Sequence, residues 1–290
     1  MGGEESRLGW IGVIRLLPRS ALSAALGRIA EVRIPGRLRR PLWRGFAAAV
    51  GADLAEVKDP LESFECLQAF FTRALRPGTR PLSTDLGDLV APCDGAWGES
   101  GRVESGRLVQ VKGRTYSLAD FLEDPDCAAR FEGGSFATFY LAPRDYHRFH
   151  APCEARVQKA THVPGQLWPV NRIGLEGISD LFVRNERICA HMKMTDGSSE
   201  HATDLVMVAV GATLVGKIRL AFDDLTSRLR EAEPTTHAYP EAIPLRRGEE
   251  WGRFEFGSTI VMIVGPGQAS LAEKPPGTPL RLGEAIGRIR

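Results

Sequence analysis

Eight short runs rich in β-branched and aromatic residues lie between positions 108 and 264 (108–111, 136–141, 156–163, 181–183, 188–194, 205–210, 213–218 and 258–264), with glycine, proline or aspartate between them. Such side chains favour a pleated, half-buried surface, and the intervening residues supply tight turns. Strands this short at this spacing predict a sandwich or a partly closed barrel. Residues 61–80 predict one further helix, stopped at Pro77-Gly78. Residues 219–233, polar and followed by Pro234, predict a surface segment or mobile loop.

The first fifty residues have a different texture. From Leu8 to Ala49 apolar residues recur at helical spacing, interrupted at Pro18, Pro35 and Pro41. Nine arginines face three glutamates in residues 1–46, a net of +6, whereas the rest of the chain carries 28 basic and 33 acidic side chains, a net of −5. Two or three short basic amphipathic helices fit this pattern. They either lie in a lipid interface, Trp and Leu inserted and Arg among anionic head groups, or cap the globular body. The expectation is an α+β chain in two parts. Residues 1–60 are basic, amphipathic and membrane-associating, and residues 61–290 form a β-rich sandwich or partly closed barrel.

Five cysteines (66, 93, 127, 153 and 189), odd in number and without a C-x-x-C pair, resemble neither a disulfide framework nor a zinc site. Reduced thiols in a cytosol-facing protein are the simpler expectation. No segment offers the roughly 20 apolar residues that span a bilayer. The N-terminus also lacks the order of a signal peptide. A peripheral protein on the cytoplasmic face of a membrane follows.

Chemistry is suggested by Phe256-Gly257-Ser258-Thr259, just before the apolar run 260–264. Glycine allows a peptide to bend toward an attacking group. Ser258 can attack the Gly257 carbonyl in an N-to-O acyl shift, and elimination from the resulting ester leaves a chain that starts in a pyruvoyl ketone. The same four residues also make an ordinary turn. A serine hydroxyl needs a base, and the base an orienting partner. Asp94, in the turn 90–95, and His147 and His150, within Tyr140–Pro152, supply those residue types. The His-x-x-His pair equally reads as a packed pair or half of a metal site.

Several segments taken in order resemble the phosphatidylserine decarboxylases: Phe71-Thr72-Arg73, Asp94-Gly95, Val111-Lys112-Gly113, Leu141-Ala142-Pro143-Arg144-Asp145-Tyr146-His147-Arg148-Phe149-His150-Ala151-Pro152, Pro164-Gly165-Gln166-Leu167, Asn185-Glu186-Arg187, the run 210–216, Gly248-Glu249-Glu250-Trp251-Gly252-Arg253-Phe254 and Gly257-Ser258-Thr259. The resemblance covers residues 60–265. The Asp-Tyr-His-Arg-x-His and Gly-Glu-Glu…Gly-Ser-Thr blocks are its specific parts. Phe256 stands where that family usually has leucine.

The resemblance implies a self-processing pyruvoyl-dependent decarboxylase that makes phosphatidylethanolamine. Asp94 would orient His150, His150 would take the Ser258 proton, and cleavage at Gly257-Ser258 would leave chains 1–257 and 258–290, which stay associated. The covalent pyruvoyl group made from Ser258 would form a Schiff base with phosphatidylserine, and His147 would protonate the carbanion left by CO₂. It implies no metal, an anionic membrane surface as partner, a homodimer and no nucleic acid. Arg144 and Arg148 would pair with the lipid phosphate or with Asp145, and Trp168 with Leu167 would line a lipid channel or pack as core. His162, His191, His201 and His237 read as structural. Two rivals remain: the same chemistry on another serine-headed lipid or a soluble amino acid, and a non-catalytic barrel-sandwich binding domain.

Overall fold

The computed structural model describes residues 27–195, 203–213, 217–227, 232–255, 259–267 and 269–290. Expectations on 1–26, His201, Gly257 and Ser258 therefore fall outside the described residues. A helix (Gly36–Val50), a 3₁₀ turn (Leu61–Ser63) and a short helix (Leu67–Phe71) come first. Then follow β1 (Asp88–Val90), β2 (Gly95–Arg102), β3 (Arg107–Val111), β4 (Arg114–Ser117), helices Leu118–Leu122 and Pro125–Ala129, β5 (Ser135–Tyr140), β6 (Arg148–His150) and β7 (Ala155–Val163). Helices Arg172–Gly177 and Leu181–Arg184 precede β8 (Arg187–Met194), β9 (Thr203–Val210), β10 (Ile218–Leu220), β11 (Thr235–Leu245), β12 (Glu250–Phe254), β13 (Thr259–Val264), β14 (Ala269–Leu271), β15 (Pro279–Leu280) and β16 (Ala285–Ile289).

Eight strands make one antiparallel sheet in the order β11-β7-β8-β9-β13-β5-β2-β15. β11 and β15 are its two edges, so the sheet is open and the barrel alternative is not the one adopted. Two three-stranded sheets, β1-β16-β14 and β10-β12-β6, accompany it. Alternation within strands assigns the two faces. Ile260, Met262 and Val264 of β13 join one core with Met207, Ile188 and Trp251, while Val261 and Ile263 join another with Val208, Phe121 and Phe182. A strand covered on both faces loses the polar half of the alternation. That is why β13 reads as an unbroken apolar run, and all six of its residues are buried. At roughly 1.5–3 kcal/mol per fully buried aliphatic side chain, β13 is among the most stabilising segments of the chain.

The helix Gly36–Val50 packs on the body through one face and leaves the other to solvent. Trp43 and Ala47 are buried, and Trp43 stacks on Phe70 with ring centroids 5.4 Å apart while its Nε1–H donates to the Phe64 carbonyl at 3.0 Å. Gly51 ends the helix in the left-handed conformation, φ 78°, that favours glycine. On the outer face Leu38 and Leu42 are exposed, one turn apart, among Arg37, Arg40 and Arg44.

Several expectations are corrected. Residues 61–80 are not one helix: a 3₁₀ turn (Leu61–Ser63) and a short helix (Leu67–Phe71) stand apart, and beyond Phe71 the Thr72 carbonyl accepts from Arg148. Residues 181–183 are helical, in Leu181–Arg184, where Leu181 and Phe182 serve as a lid on the second core. The strand expected at 213–218 is confined to Ile218–Leu220, with Thr213 in a turn and 214–216 outside the described residues. Leu225 and Ser227 are buried, so the surface assignment of 219–233 fails at that point. β11 is not among the expected strands; it carries Pro240 and Pro244, which an edge strand with a register shift between Ala238 and Ile243 accommodates.

Trp43→Ala is expected to cost about 3–5 kcal/mol of local stability at the arm. Hydrogen exchange should show amides of 36–50 losing protection while those of β13 keep theirs.

Candidate active site

The segments that stand far apart in sequence meet at one end of the large sheet. A single row of paired residues crosses it there: Ala96, Tyr140, Thr259, Val210, Arg187 and Val163. Each is the first or last residue, or next to it, of its strand. The adjoining loops are Asp94-Gly95, Leu141-Ala142-Pro143, Gly211-Ala212-Thr213, Asn185-Glu186 and Pro164-Gly165-Gln166-Leu167, and Ser258 directly precedes Thr259 in the chain. Strand pairing alone thus gathers most of the motif residues.

Specific bonds fix these loops. The buried Asn185 side chain accepts from the Trp168 N–H at 2.9 Å and donates to the carbonyls of Trp168 and Gly211 at 2.9 and 2.8 Å, clamping two loops together. Gly95 sits at φ 148° with the Tyr140 carbonyl where a Cβ would lie, so no other residue fits beside Asp94. Phe71-Thr72-Arg73 brackets the histidine loop: Phe71 stacks on His147, Thr72 accepts from Arg148, and Arg73 donates to the Arg144 carbonyl at 3.0 Å.

His150 lies in β6, between two neighbouring segments. Its N–H donates to the Pro92 carbonyl at 2.7 Å, and β6 pairs with β12 on the other side. Its Nδ1 is 2.9 Å from the Gly248 carbonyl, and a carbonyl only accepts, so Nδ1 carries the proton. Nε2 is left as a base, 3.3 Å from the Tyr146 hydroxyl. Burial pushes the His150 pKa down, opposed by the Gly248 carbonyl and the charges of Glu250 and Asp94.

Asp94 is near His150 but not bonded to it. Its carboxylate accepts from Arg80 Nε at 2.8 Å, Arg80 Nη2 at 2.6 Å and the Leu282 N–H at 2.9 Å. The orienting acceptor that sequence logic assigned to Asp94 is the Gly248 carbonyl in this structure. Arg80 and Gly248 carried no chemical role in the sequence; only spatial proximity exposes them.

His147 sits in a drier place. Its Nδ1 is 2.8 Å from the Asp145 carbonyl, its Nε2 is buried with no partner among the described residues, and its ring lies 4.0 Å from that of Phe71. Burial, aided by the Arg73 charge, lowers its pKa to about 3. Its own carbonyl accepts from the Phe254 N–H at 2.9 Å, which puts the histidine beside the chain two residues before the 256–258 segment.

Two hollows flank the pair. One, about 440 Å³, lies between the N-terminal helix and the body and is lined by Phe46, Leu67, Phe71, Leu141, Val170 and Ala212. The other, about 230 Å³, is polar and holds Arg73, Arg80, Asp94, Asp145 and Tyr146. Arg148 is committed to Thr72 and, at 2.9 Å, to Glu250, whereas the exposed Arg144 lies a loose 3.6 Å from Asp145. Trp168 packs into the second core. Beyond the site, His162 is 3.0 Å from Glu186, His191 is 3.3 Å from Cys127 Sγ and His237 is 3.0 Å from Asp223. The five cysteines are free thiols.

NMR titration of the imidazoles should show His147 neutral from pH 8 down to about 4, since its pKa lies near 3. A His147 midpoint near 6.5 would contradict the dry environment described above.

Comparison with known proteins identifies the family. Residues 67–288 match the family model described as phosphatidylserine decarboxylase. Curated relatives named phosphatidylserine decarboxylase proenzyme are similar over nearly the whole chain. The protein from Anaeromyxobacter sp. (strain K) is 42% identical over 281 residues, 96% of this chain and 97% of the relative. Those from Myxococcus xanthus (strain DK1622) and Acidovorax ebreus (strain TPSY) are 35% and 40% identical, covering 96% and 93% of this chain and 97% and 94% of the relatives.

Proposed function

This chain belongs to the phosphatidylserine decarboxylase family of carboxy-lyases, and from that premise we propose that it cuts itself between Gly257 and Ser258 and then decarboxylates phosphatidylserine at an anionic membrane surface. The observation that carries the proposal is the row Ala96-Tyr140-Thr259-Val210-Arg187-Val163, which fixes the residue after Ser258 at the sheet end where the histidine and aspartate loops converge.

For self-cleavage, His150 has the right tautomer. Nδ1–H is tied to Gly248, so Nε2 can take the Ser258 hydroxyl proton as the oxygen attacks the Gly257 carbonyl. Asp94 contributes through its charge, which favours the imidazolium that then forms. Sheet pairing on both sides of β13 would keep chain 258–290 in place after the cut.

A pyruvoyl ketone derived from Ser258 supplies the electron sink that decarboxylation of an amino acid needs. The surroundings fit such a group, because His147 offers a buried Nε2 with no partner among the described residues. With Nδ1–H donating to the Asp145 carbonyl, His147 can take up a further proton only at Nε2. It must therefore load one from the substrate side before delivering it there. Phe71 holds the ring and keeps water from that face.

The apolar hollow beside Phe71 suits an acyl chain, and Arg144 is the freer of the two arginines for a lipid phosphate. No helix among the described residues is long and apolar enough to cross a membrane. The outer face of Gly36–Val50, apolar at Leu38 and Leu42 and without acidic residues, suits peripheral contact with the anionic cytoplasmic leaflet. We place the protein there, in phosphatidylethanolamine synthesis, and expect it to act as a homodimer.

Intact mass should show two chains, the smaller blocked by pyruvoyl, with Ser258→Ala uncut; a single 31.7 kDa species from the wild type would overturn the proposal. His147→Ala should cut normally yet lose decarboxylation. Because the His150 pKa is lowered, its basic form persists below the ordinary histidine value of about 6.5, so the acid limb of the self-cleavage pH profile should lie below that value, and a limb at or above it would contradict the lowered pKa.

Arg37→Glu/Arg40→Glu/Arg44→Glu should weaken binding to anionic vesicles more than tenfold, at about 1 kcal/mol per arginine near the surface. Equal affinity for neutral and anionic vesicles would remove the membrane assignment.

A further inference from the structure

The polar hollow contains an ion network whose members come from three separate parts of the chain. Arg80 and Asp94 are nearly buried, with 9% of each side chain exposed. Four of the five Arg80 N–H donors are engaged: Nε and Nη2 on Asp94, Nη2 also on Glu56 at 2.7 Å, and Nη1 on the Thr79 carbonyl at 2.9 Å. Glu56 is anchored in the segment that carries the N-terminal helix, where its carbonyl accepts from the Arg76 N–H at 2.8 Å. Glu56 also meets Arg281 at 3.3 Å, and Asp94 accepts from the Leu282 N–H; both residues lie beyond Ser258.

A buried carboxylate keeps its charge only when strong donors hold it, and removing the partner leaves it neutralised or displaced. Among the described residues Asp94 makes no hydrogen bond to His150 and acts on it through charge, so its contribution depends on where the carboxylate is held. Among the described residues its only side-chain donor is Arg80. The neighbouring Arg73 donates to carbonyls of the histidine loop instead.

We propose that Arg80, held in turn by Glu56, is the positioning residue for Asp94 in self-cleavage, and that through it the N-terminal arm and the 258–290 segment are both coupled to the site. The proposal rests on self-cleavage as the function. It assigns Arg80 no contact with the reacting atoms. A planar fork is required, because lysine offers one point charge and cannot span both carboxylate oxygens and Glu56.

The test follows cleavage of the full-length chain over time in a cell-free translation reaction. Arg80→Ala should slow self-cleavage on the order of tenfold or more, consistent with loss of an orienting ion pair. Arg80→Lys should fall between it and the wild type, and Glu56→Gln should slow the reaction roughly two- to fivefold. Added millimolar guanidinium should restore a measurable part of the Arg80→Ala rate, which simple misfolding would not allow. Cleavage of Arg80→Ala at or above the wild-type rate overturns the proposal, since Arg80 would then be neutral or a restraint on Asp94. A slow Arg80→Ala variant that neither guanidinium nor the lysine substitution improves also overturns it, leaving a purely structural role. A wild-type chain that stays whole removes the self-cleavage function itself, and this proposal with it.

Discussion

Strand β13 lies between β5 and β9, paired residue for residue on both sides over its six positions. Nearly everything else depends on that double pairing. It fixes the register of the central sheet, and because side-chain direction alternates, a slip by one residue would exchange the two cores. It also sets Thr259 at the end of the sheet to which the Asp94-Gly95 and Leu141-Ala142-Pro143 loops adjoin. The self-cleavage proposed for the Gly257-Ser258 bond would require the strand to be held independently of the bond to be broken. Twelve partner residues on two neighbouring strands meet that need.

Two histidines three residues apart are given different environments by one short strand. β6 begins at Arg148, so His147 points into the dry contact with Phe71, whereas His150 sits between the Pro92 and Gly248 segments near three charged side chains. Both donate from Nδ1 to a backbone carbonyl, which fixes the tautomer and frees Nε2. The difference lies in what bonds to Nε2: a tyrosine hydroxyl at one, and no partner among the described residues at the other. Neutral bases of unequal dryness suit two proton transfers of different kinds.

The sequence made the strands of the central sheet legible, because β5, β7, β8, β9 and β13 are long enough and apolar enough for local pattern to dominate. It misread the 61–80 segment, where the Thr72 carbonyl accepts from Arg148 in a tertiary contact that local periodicity does not encode, and it missed β11, whose prolines are tolerated only at an edge. Asp94, His147 and His150 stood out as residue types capable of acid–base work, and family likeness brought them together. Arg80 and the Gly248 carbonyl did not stand out. An arginine in a polar loop and a backbone oxygen have no signature until a partner is placed against them.

By itself the amino-acid order determined the alternation that makes a sheet, the basic and apolar character of the arm, and the reactive residue types. Those properties are local, set by each side chain and its near neighbours. Tertiary structure alone decided which carbonyl orients His150, which cation holds Asp94 and how dry His147 is. Each of these depends on segments separated by between 14 and 188 residues, such as Arg80 with Asp94 and Asp94 with Leu282, meeting at hydrogen-bond distance. The packed fold brings them there, with strand pairing gathering the sheet ends and the loops between strands carrying Arg80, Asp94 and Leu282 into contact.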